Sequence, residues 1–215
     1  MIIDPSDSRV VAGPVPYQVL TAVVIPRPIG FISSISRSGM VNLAPFSFFN
    51  AVCGTPPMVM FAAMNRNPAK DSLTNVRETG DFVANAVSRE IAEKMNLTAG
   101  DYPHGVNEFD VAGLTAIPSD LVRAPRLLES PVNMECRVRQ IINAGPNSAE
   151  TYLVLGEVVR FHVRDTVIGP DGVIDPGKLD LVGRLGGTSY VSIKDRFDLI
   201  RPVINPAEWQ DKIAR

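Results

Sequence analysis

Two histidines and two cysteines in 215 residues leave little material for several kinds of site. Cys53 and Cys136 stand far apart and form no C-x-x-C pair, and His104 and His162 belong to no H-E-x-x-H arrangement, so a His/Cys zinc centre is not expected. So few cysteines in a chain able to build its own core do not make a disulfide scaffold. There is no G-x-S-x-G nucleophile elbow and no G-x-x-x-x-G-K phosphate loop. Gly183-Arg184-Leu185-Gly186-Gly187 is rich in glycine but lacks G-x-G-x-x-G spacing, which excludes a Rossmann reading. No apolar run approaches the roughly 18 residues of a membrane span. The N-terminal Met1-Ile2-Ile3-Asp4-Pro5-Ser6-Asp7 has no basic region ahead of an apolar one. A formal charge of -2 supplies no general basic face for a nucleic-acid backbone. The expectation is a cytoplasmic protein that binds neither membrane nor nucleic acid.

What is present is an ordinary globular composition, 45% apolar and 20% charged, enough to fill a core. One domain over 1–215 is expected, with a core of about 18–192 and a tail of 193–215. Pro16 opens a short helix through Val23, and Pro26 and Pro28 forbid its continuation. Ile29 to Ile35 reads as a strand, with Ser38-Gly39 as a hairpin tip. Met58 to Met64 reads as a buried strand, and Lys70 to Thr79 as a helix closed by Gly80, with Asp71 or Ser72 suited to cap it. A strand over 81–87, a helix over 89–97 capped by Ser88 and a loop or lid over 98–110 follow. Alternation then predicts a strand over 133–139 with Cys136 on its core face, and another over 151–164. In the second, Leu153, Leu155, Val159, Phe161 and Val163 are expected on one face, with Arg160, His162 and Arg164 on the wet one. Strands come in hairpins and not in βαβ alternation, so the reading is mainly β, an antiparallel barrel with peripheral helices.

One stretch stands out. Pro26 to Ser34 leads into Asn42-Leu43-Ala44-Pro45-Phe46-Ser47-Phe48-Phe49-Asn50, read as a proline-broken loop with three Phe in four positions. Loops seldom carry such aromatic content unless they cover something apolar. A planar ring bearing a phosphate fits: Ser47 offers a hydroxyl, and Lys70-Asp71-Ser72 offers a cation and donors at a predicted helix start. Arg66 is a candidate second cation. The same residues also fit a plain capped surface helix, a turn hydroxyl and core-filling rings.

In order, Pro26-Arg27-Pro28-Ile29, Ser33-Ser34, Asn42 to Asn50 and Asn67-Pro68-x-Lys70-Asp71-Ser72-Leu73-x-Asn75 resemble the flavin reductase-like family with its FMN-binding split barrel. Asp81-Phe82-Val83-x-Asn85, Glu108-Phe109-x-x-Ala112-Gly113-Leu114, Met134-Glu135-Cys136, Gly156-Glu157-Val158-Val159 and Arg184-Leu185-Gly186-Gly187-x-x-Tyr190 extend the match. Ser72 departs from the Thr more usual there but keeps a hydroxyl. The resemblance implies a six-stranded antiparallel Greek-key split β-barrel, a homodimer, and FMN near the subunit interface. It places Ser33, Ser34, Asn42, Leu43, Ala44, Pro45, Phe46 and Ser47 along the ribityl chain and ring edge. Ser47, Lys70, Asp71 and Ser72 would serve the phosphate. The implied activity is hydride transfer from NAD(P)H through FMN to free flavin, destined for a partner monooxygenase, or to a small organic acceptor such as a nitroaromatic. No catalytic side chain and no metal are then expected, because the cofactor carries the chemistry. An FMN-binding electron carrier is the rival reading; a haem or F420 site on the same barrel is a third.

Overall fold

The structure, a computed structural model, describes residues 3–4, 15–64, 70–145 and 151–203. Its centre is a seven-stranded antiparallel sheet in the order β3-β2-β6-β9-β10-β5-β4. These strands are β2 (Gly30–Ile35), β3 (Val41–Phe46), β4 (Phe49–Gly54), β5 (Pro57–Met64), β6 (Asp81–Asn85), β9 (Val132–Asn143) and β10 (Thr151–Val163). The sheet has one strand more than the six expected; the class is as expected. A smaller sheet joins β1 (Arg27–Pro28), β11 (Val182–Arg184) and β12 (Tyr190–Ser192), and β7 (Ala116–Ile117) pairs with β8 (Arg126–Leu127).

The sheet curls because aromatic rings draw its distant strands together. Phe46 on β3 lies 4.8 Å from Phe61 on β5, and Phe61 meets Phe82 on β6 edge-on at 5.2 Å. These rings fill the main core with Ile32, Val59, Cys136, Val154 and Val158. A second core on the other side of β2 holds Phe31, Leu43, Ile91, Met95 and Phe109. Burial pushes the Cys136 thiol far above its ordinary pKa, so it acts as an apolar filler.

Several expectations are corrected. The strand returning from the Ser38-Gly39 hairpin tip, expected through Leu43, does not give way to a loop there: β3 runs on to Phe46 as an edge strand, where Pro45 removes no ladder hydrogen bond from an inner position. On β10 the core face is Val154, Gly156 and Val158, not the Leu153 series. A register shift between Val158 and Arg160 resets the alternation, and Phe161 ends 52% exposed. Leu153 and Leu155 instead share the outer face with Met60, Met64 and Ile142, a strip of partly exposed apolar side chains. Neither Asp71 nor Ser72 caps α2 (Asp71–Thr79); Lys70 holds the cap position without a side-chain bond, whereas Gly80 closes the helix with φ 75 as expected. The helix after Ser88 is a 3-10 turn followed by α3 (Ala92–Leu97), and the hydroxyl of Ser88 bonds to neither. Inside the expected lid a five-residue helix, α4 (Glu108–Ala112), is capped by Asn107.

The irregular segment 119–127 is held by polar side chains projecting from β6 and β9. Asp81 accepts N–H bonds from Arg123 and Ala124, and Asn85 accepts one from Leu127. Glu135, fully buried, accepts from the N–H groups of Asp120 and Leu121 and from His162 Nε2 at 2.6 Å. The three side chains Asp120, Glu135 and His162 converge within 4.8 Å, but Arg160 already occupies an Asp120 oxygen at 2.6 Å. This is an ion-paired clip that replaces regular pairing with side-chain bonds.

Candidate functional site

A cleft of about 710 Å³ opens between β3, the start of α2 and the segment leading into α4. Asn42, Ala44, Pro45, Lys70, Asp71 and Ser72 all border it, so the structure brings together residues expected from two separate stretches. Its size falls within the roughly 300–1,000 Å³ of small-molecule sites. The wall opposite β3 comes from 98–104 and Glu108, which fits the lid expectation.

The floor is set by how α2 docks. Leu73 and Val76 enter the main core, and two buried hydrogen bonds fix the register of helix on sheet. Asn42 Nδ2 donates to Ser72 Oγ at 2.9 Å, and Asn75 Nδ2 donates to Ser34 Oγ at 3.0 Å. This puts the first turn of α2 at the cleft mouth, where helix N–H groups have no intrahelical acceptor. Lys70 Nζ lies 5.3 Å above the Phe46 ring, beside that turn. An ammonium and open N–H groups at a helix start form a donor set suited to a phosphate.

Other expected residues stand elsewhere. Ser33 and Ser34 point to opposite faces of β2 and are both fully buried. Ser33 donates to the Pro125 carbonyl at 2.5 Å and accepts from Asn85, while Ser34 is engaged by Asn75. The cleft reaches neither hydroxyl. Leu43 turns its side chain into the second core and offers only backbone to the cleft side. Phe46 is a core ring. Ser47, half-buried, sits in the bend between β3 and β4 and does not border the cleft. Arg66, Asn67 and Pro68 lie outside the described residues. Arg27 is also not at the cleft: its guanidinium donates to the carbonyls of Thr21, Val24 and Leu185, pinning α1 (Val15–Val23) to the glycine-rich turn.

His104 and Glu108 border the cleft too, though neither was expected as a site residue. His104 Nδ1 meets Asp71 Oδ1 at 2.6 Å, latching the lid to the first turn of α2. Glu108, 8% exposed, accepts the Leu43 N–H at 2.9 Å. Burial pushes the Glu108 carboxyl above the usual glutamate range; the N–H bonds from Leu43 and its own backbone oppose this, and nearby Asp71 reinforces it. Asp71 is thus turned to His104 and Glu108 to the Leu43 N–H, while Asp101 also borders the cleft. The signal for Glu108 in the sequence was its place in the block Glu108-Phe109-x-x-Ala112-Gly113-Leu114 of the family resemblance.

The raised Glu108 value carries a stability consequence. The folded state binds the proton more tightly than the unfolded one, so stability falls as pH rises from the unfolded value through the folded one. Glu108→Gln keeps an acceptor for Leu43 and removes the ionisation cost. The difference in melting temperature between variant and parent should therefore grow in the variant's favour from pH 4 to pH 7, with each kcal/mol read as about 2–4 °C. A constant difference would disprove the assignment.

A curled antiparallel sheet with a cleft beside its β3 edge strand defines a mainly β split-barrel protein. The chain belongs to the family described as the flavin reductase like domain, whose model matches residues 22–179. An uncharacterized protein of Aquifex aeolicus is 41% identical over 177 residues, covering 81% of this chain and 88% of that one. Among solved structures, nitrilotriacetate monooxygenase component B from Bacillus cereus superposes with TM-score 0.86 at 31% identity, covering 93% of this chain and 98% of its own. The 2-nitrobenzoate 2-nitroreductase NbaA of Pseudomonas fluorescens superposes with TM-score 0.79 at 32% identity, over 89% and 92% of the two chains. Among the described residues no helix is long and apolar enough to cross a membrane.

Proposed function

We propose that this chain, acting as one domain, is an FMN-dependent oxidoreductase that accepts hydride from NAD(P)H and passes electrons to free flavin or a small organic acceptor. The observation that carries the reading is the convergence of Lys70, the first turn of α2 and the β3 edge on one cleft of ligand size. Family membership supports a flavin, and the single phosphate of FMN matches one helix start with one ammonium. The hydride chemistry is the flavin's; the protein binds, orients and shields it. Lys70 and the N–H groups of Asp71 and Ser72 hold the phosphate, Asn42 to Pro45 line the chain and ring edge, and the 98–104 lid excludes water. Ser34 serves by positioning, since its bond with Asn75 fixes α2 at the cleft, while Ser33 holds the segment around Pro125 on the other face of β2.

Similarity to a component B of a two-component monooxygenase supports a partner monooxygenase that receives reduced flavin, and similarity to a nitroreductase supports a small aromatic acceptor. The apolar outer strip of Met60, Met64, Ile142, Leu153 and Leu155 supports a homodimer, because a face of this kind is normally covered.

Purified protein is expected to show flavin absorbance that bleaches when NADH or NADPH is added without oxygen. A yellow protein that stays oxidised would reject the reductase and leave a carrier. Lys70→Ala should weaken FMN binding by about 1.5–3 kcal/mol, some 10- to 100-fold in Kd, with the melting temperature nearly unchanged. Equal flavin titration curves for variant and parent would remove Lys70 from the site.

A further inference from the structure

A second cleft, of about 780 Å³, is separated from the first by a few residues of chain: Asn96 and Leu97 border this one, and Thr98 to Gly100 border the other. Its far wall is the turn from β11 to β12, the glycine-rich motif for which the flavin reading has no use. There Arg184 is held on two sides by neutral groups. Its Nη2 donates to the Gly187 carbonyl, and its guanidinium lies 4.5 Å from the centre of the Tyr190 ring. Tyr190 is itself anchored, donating from its hydroxyl to Asn96 Oδ1 at 3.2 Å across the cleft. Among the described residues no carboxylate pairs with Arg184. A second guanidinium, Arg89, borders the same cleft and is tied to Glu93 at 3.5 Å, with both side chains more than half exposed. Such an exposed pair is weak, so Arg89 can be recruited by an arriving anion at little cost. Thr188 adds a hydroxyl to the rim, whereas that of Ser192 is spent on Asp180 Oδ1 at 3.1 Å.

A planar fork kept rigid by ring stacking, a second mobile fork and the Thr188 hydroxyl form a receptor for an oxyanion. We infer that this cleft binds the anionic group, phosphate or carboxylate, of the molecule that exchanges electrons at the neighbouring cleft. The electron-exchange part rests on the proposed function; the anion site rests on Arg184 and its surroundings. The glycine motif makes the receptor possible: Gly187 adopts φ 59, which turns its carbonyl back to the guanidinium in a conformation that costs a side-chain-bearing residue strain.

The test uses the full chain loaded with FMN and two calorimetric probes. Adenosine 2′,5′-bisphosphate reports a phosphate on the donor side, and 2-nitrobenzoate a carboxylate on the acceptor side. Binding of one probe is expected to weaken about tenfold or more in Arg184→Gln, with a smaller loss in Arg184→Lys, which keeps the charge but not the fork. The probe affected identifies the source. FMN affinity and melting temperature should stay at parental values in Arg184→Lys. If neither probe binds the parent protein, or both bind all three proteins alike, there is no anion site. If FMN retention falls with Arg184→Lys, Arg184 belongs to the first cleft and the second site is rejected. Arg184-dependent probe binding in a protein that retains no FMN would keep the anion site and reject the reductase.

Discussion

Replacing Glu135 with alanine is expected to lower the free energy of unfolding by about 2–4 kcal/mol, because several hydrogen bonds to one buried carboxylate are lost together. The loss is large because one carboxylate does three jobs. It terminates the N–H groups of Asp120 and Leu121 and it holds the His162 ring, with the Glu135 side chain itself fully buried and its partners reaching towards the surface. Alanine removes all three charge-assisted bonds at once, each worth about 1.5–3 kcal/mol at most where the freed donor can turn to water. Against a total of about 5–15 kcal/mol, this is enough to bring the chain near its unfolding threshold. Urea unfolding at pH 7 measures it; a change below about 1 kcal/mol would mean that segment 119–127 is not held by this clip.

The same group sets a pH signature. Burial alone would raise the Glu135 carboxyl, but the Asp120 N–H, the His162 bond and the Leu121 N–H outweigh it and hold it below the ordinary glutamate range. A depressed carboxylate stabilises the fold above the unfolded-state value, and this contribution disappears as pH falls through the folded value. The stability gap between the parent and Glu135→Gln should therefore be full near neutrality and shrink as pH falls below the ordinary glutamate value.

Local signals were legible wherever backbone geometry or burial forced one residue type. Gly80 and Gly39 take positive φ at the helix end and hairpin tip where they were expected, and Cys136 is buried on the core face of β9. The meeting of Asn42 to Pro45 with Lys70 to Ser72 was also legible, though only through the ordered family resemblance; local pattern alone allowed a capped surface helix. The remainder depended on long-range pairing. Pro45 looked like a strand breaker because its position at a sheet edge cannot be known before the sheet exists. The series Leu153, Leu155, Val159, Phe161 and Val163 outnumbers the apolar residues at the alternate positions of β10, and only the bulges and the pairing with β5 decide that Val154 and Val158 face inward. Ser33 and Ser34 were placed along the ligand by the family resemblance alone. Their true partners, Pro125 and Asn75, are 92 and 41 residues away. Glu108 needs Leu43, 65 residues distant, before its burial means anything.

Gly156 links the core to the cleft, and Gly156→Ala is expected to disturb both. No unusual φ demands glycine here; space does. A Cβ on residue 156 would sit within the Phe82 ring, 2.6 Å from Cε1, and 3.2 Å from the Cys136 Cβ. Phe82 is fully buried and cannot swing away without moving Phe61, which it meets at 79°, and Phe61 in turn abuts Phe46. Overpacking of this kind costs about 1–3 kcal/mol, and the ring's confinement puts Gly156→Ala at the upper end. Because Phe46 lies beneath the Lys70 ammonium, displacement along the aromatic row reaches the proposed phosphate anchor 5.3 Å away. FMN affinity should therefore fall along with stability, although residue 156 does not border the cleft. Phe82→Leu makes room for the added methyl, so the double variant Gly156→Ala/Phe82→Leu should be more stable than the sum of the two single losses by at least about 1 kcal/mol, the coupling expected of residues in direct contact. Strict additivity would show that the strain of Gly156→Ala is relieved elsewhere, and that the row from Phe82 to Lys70 does not carry it.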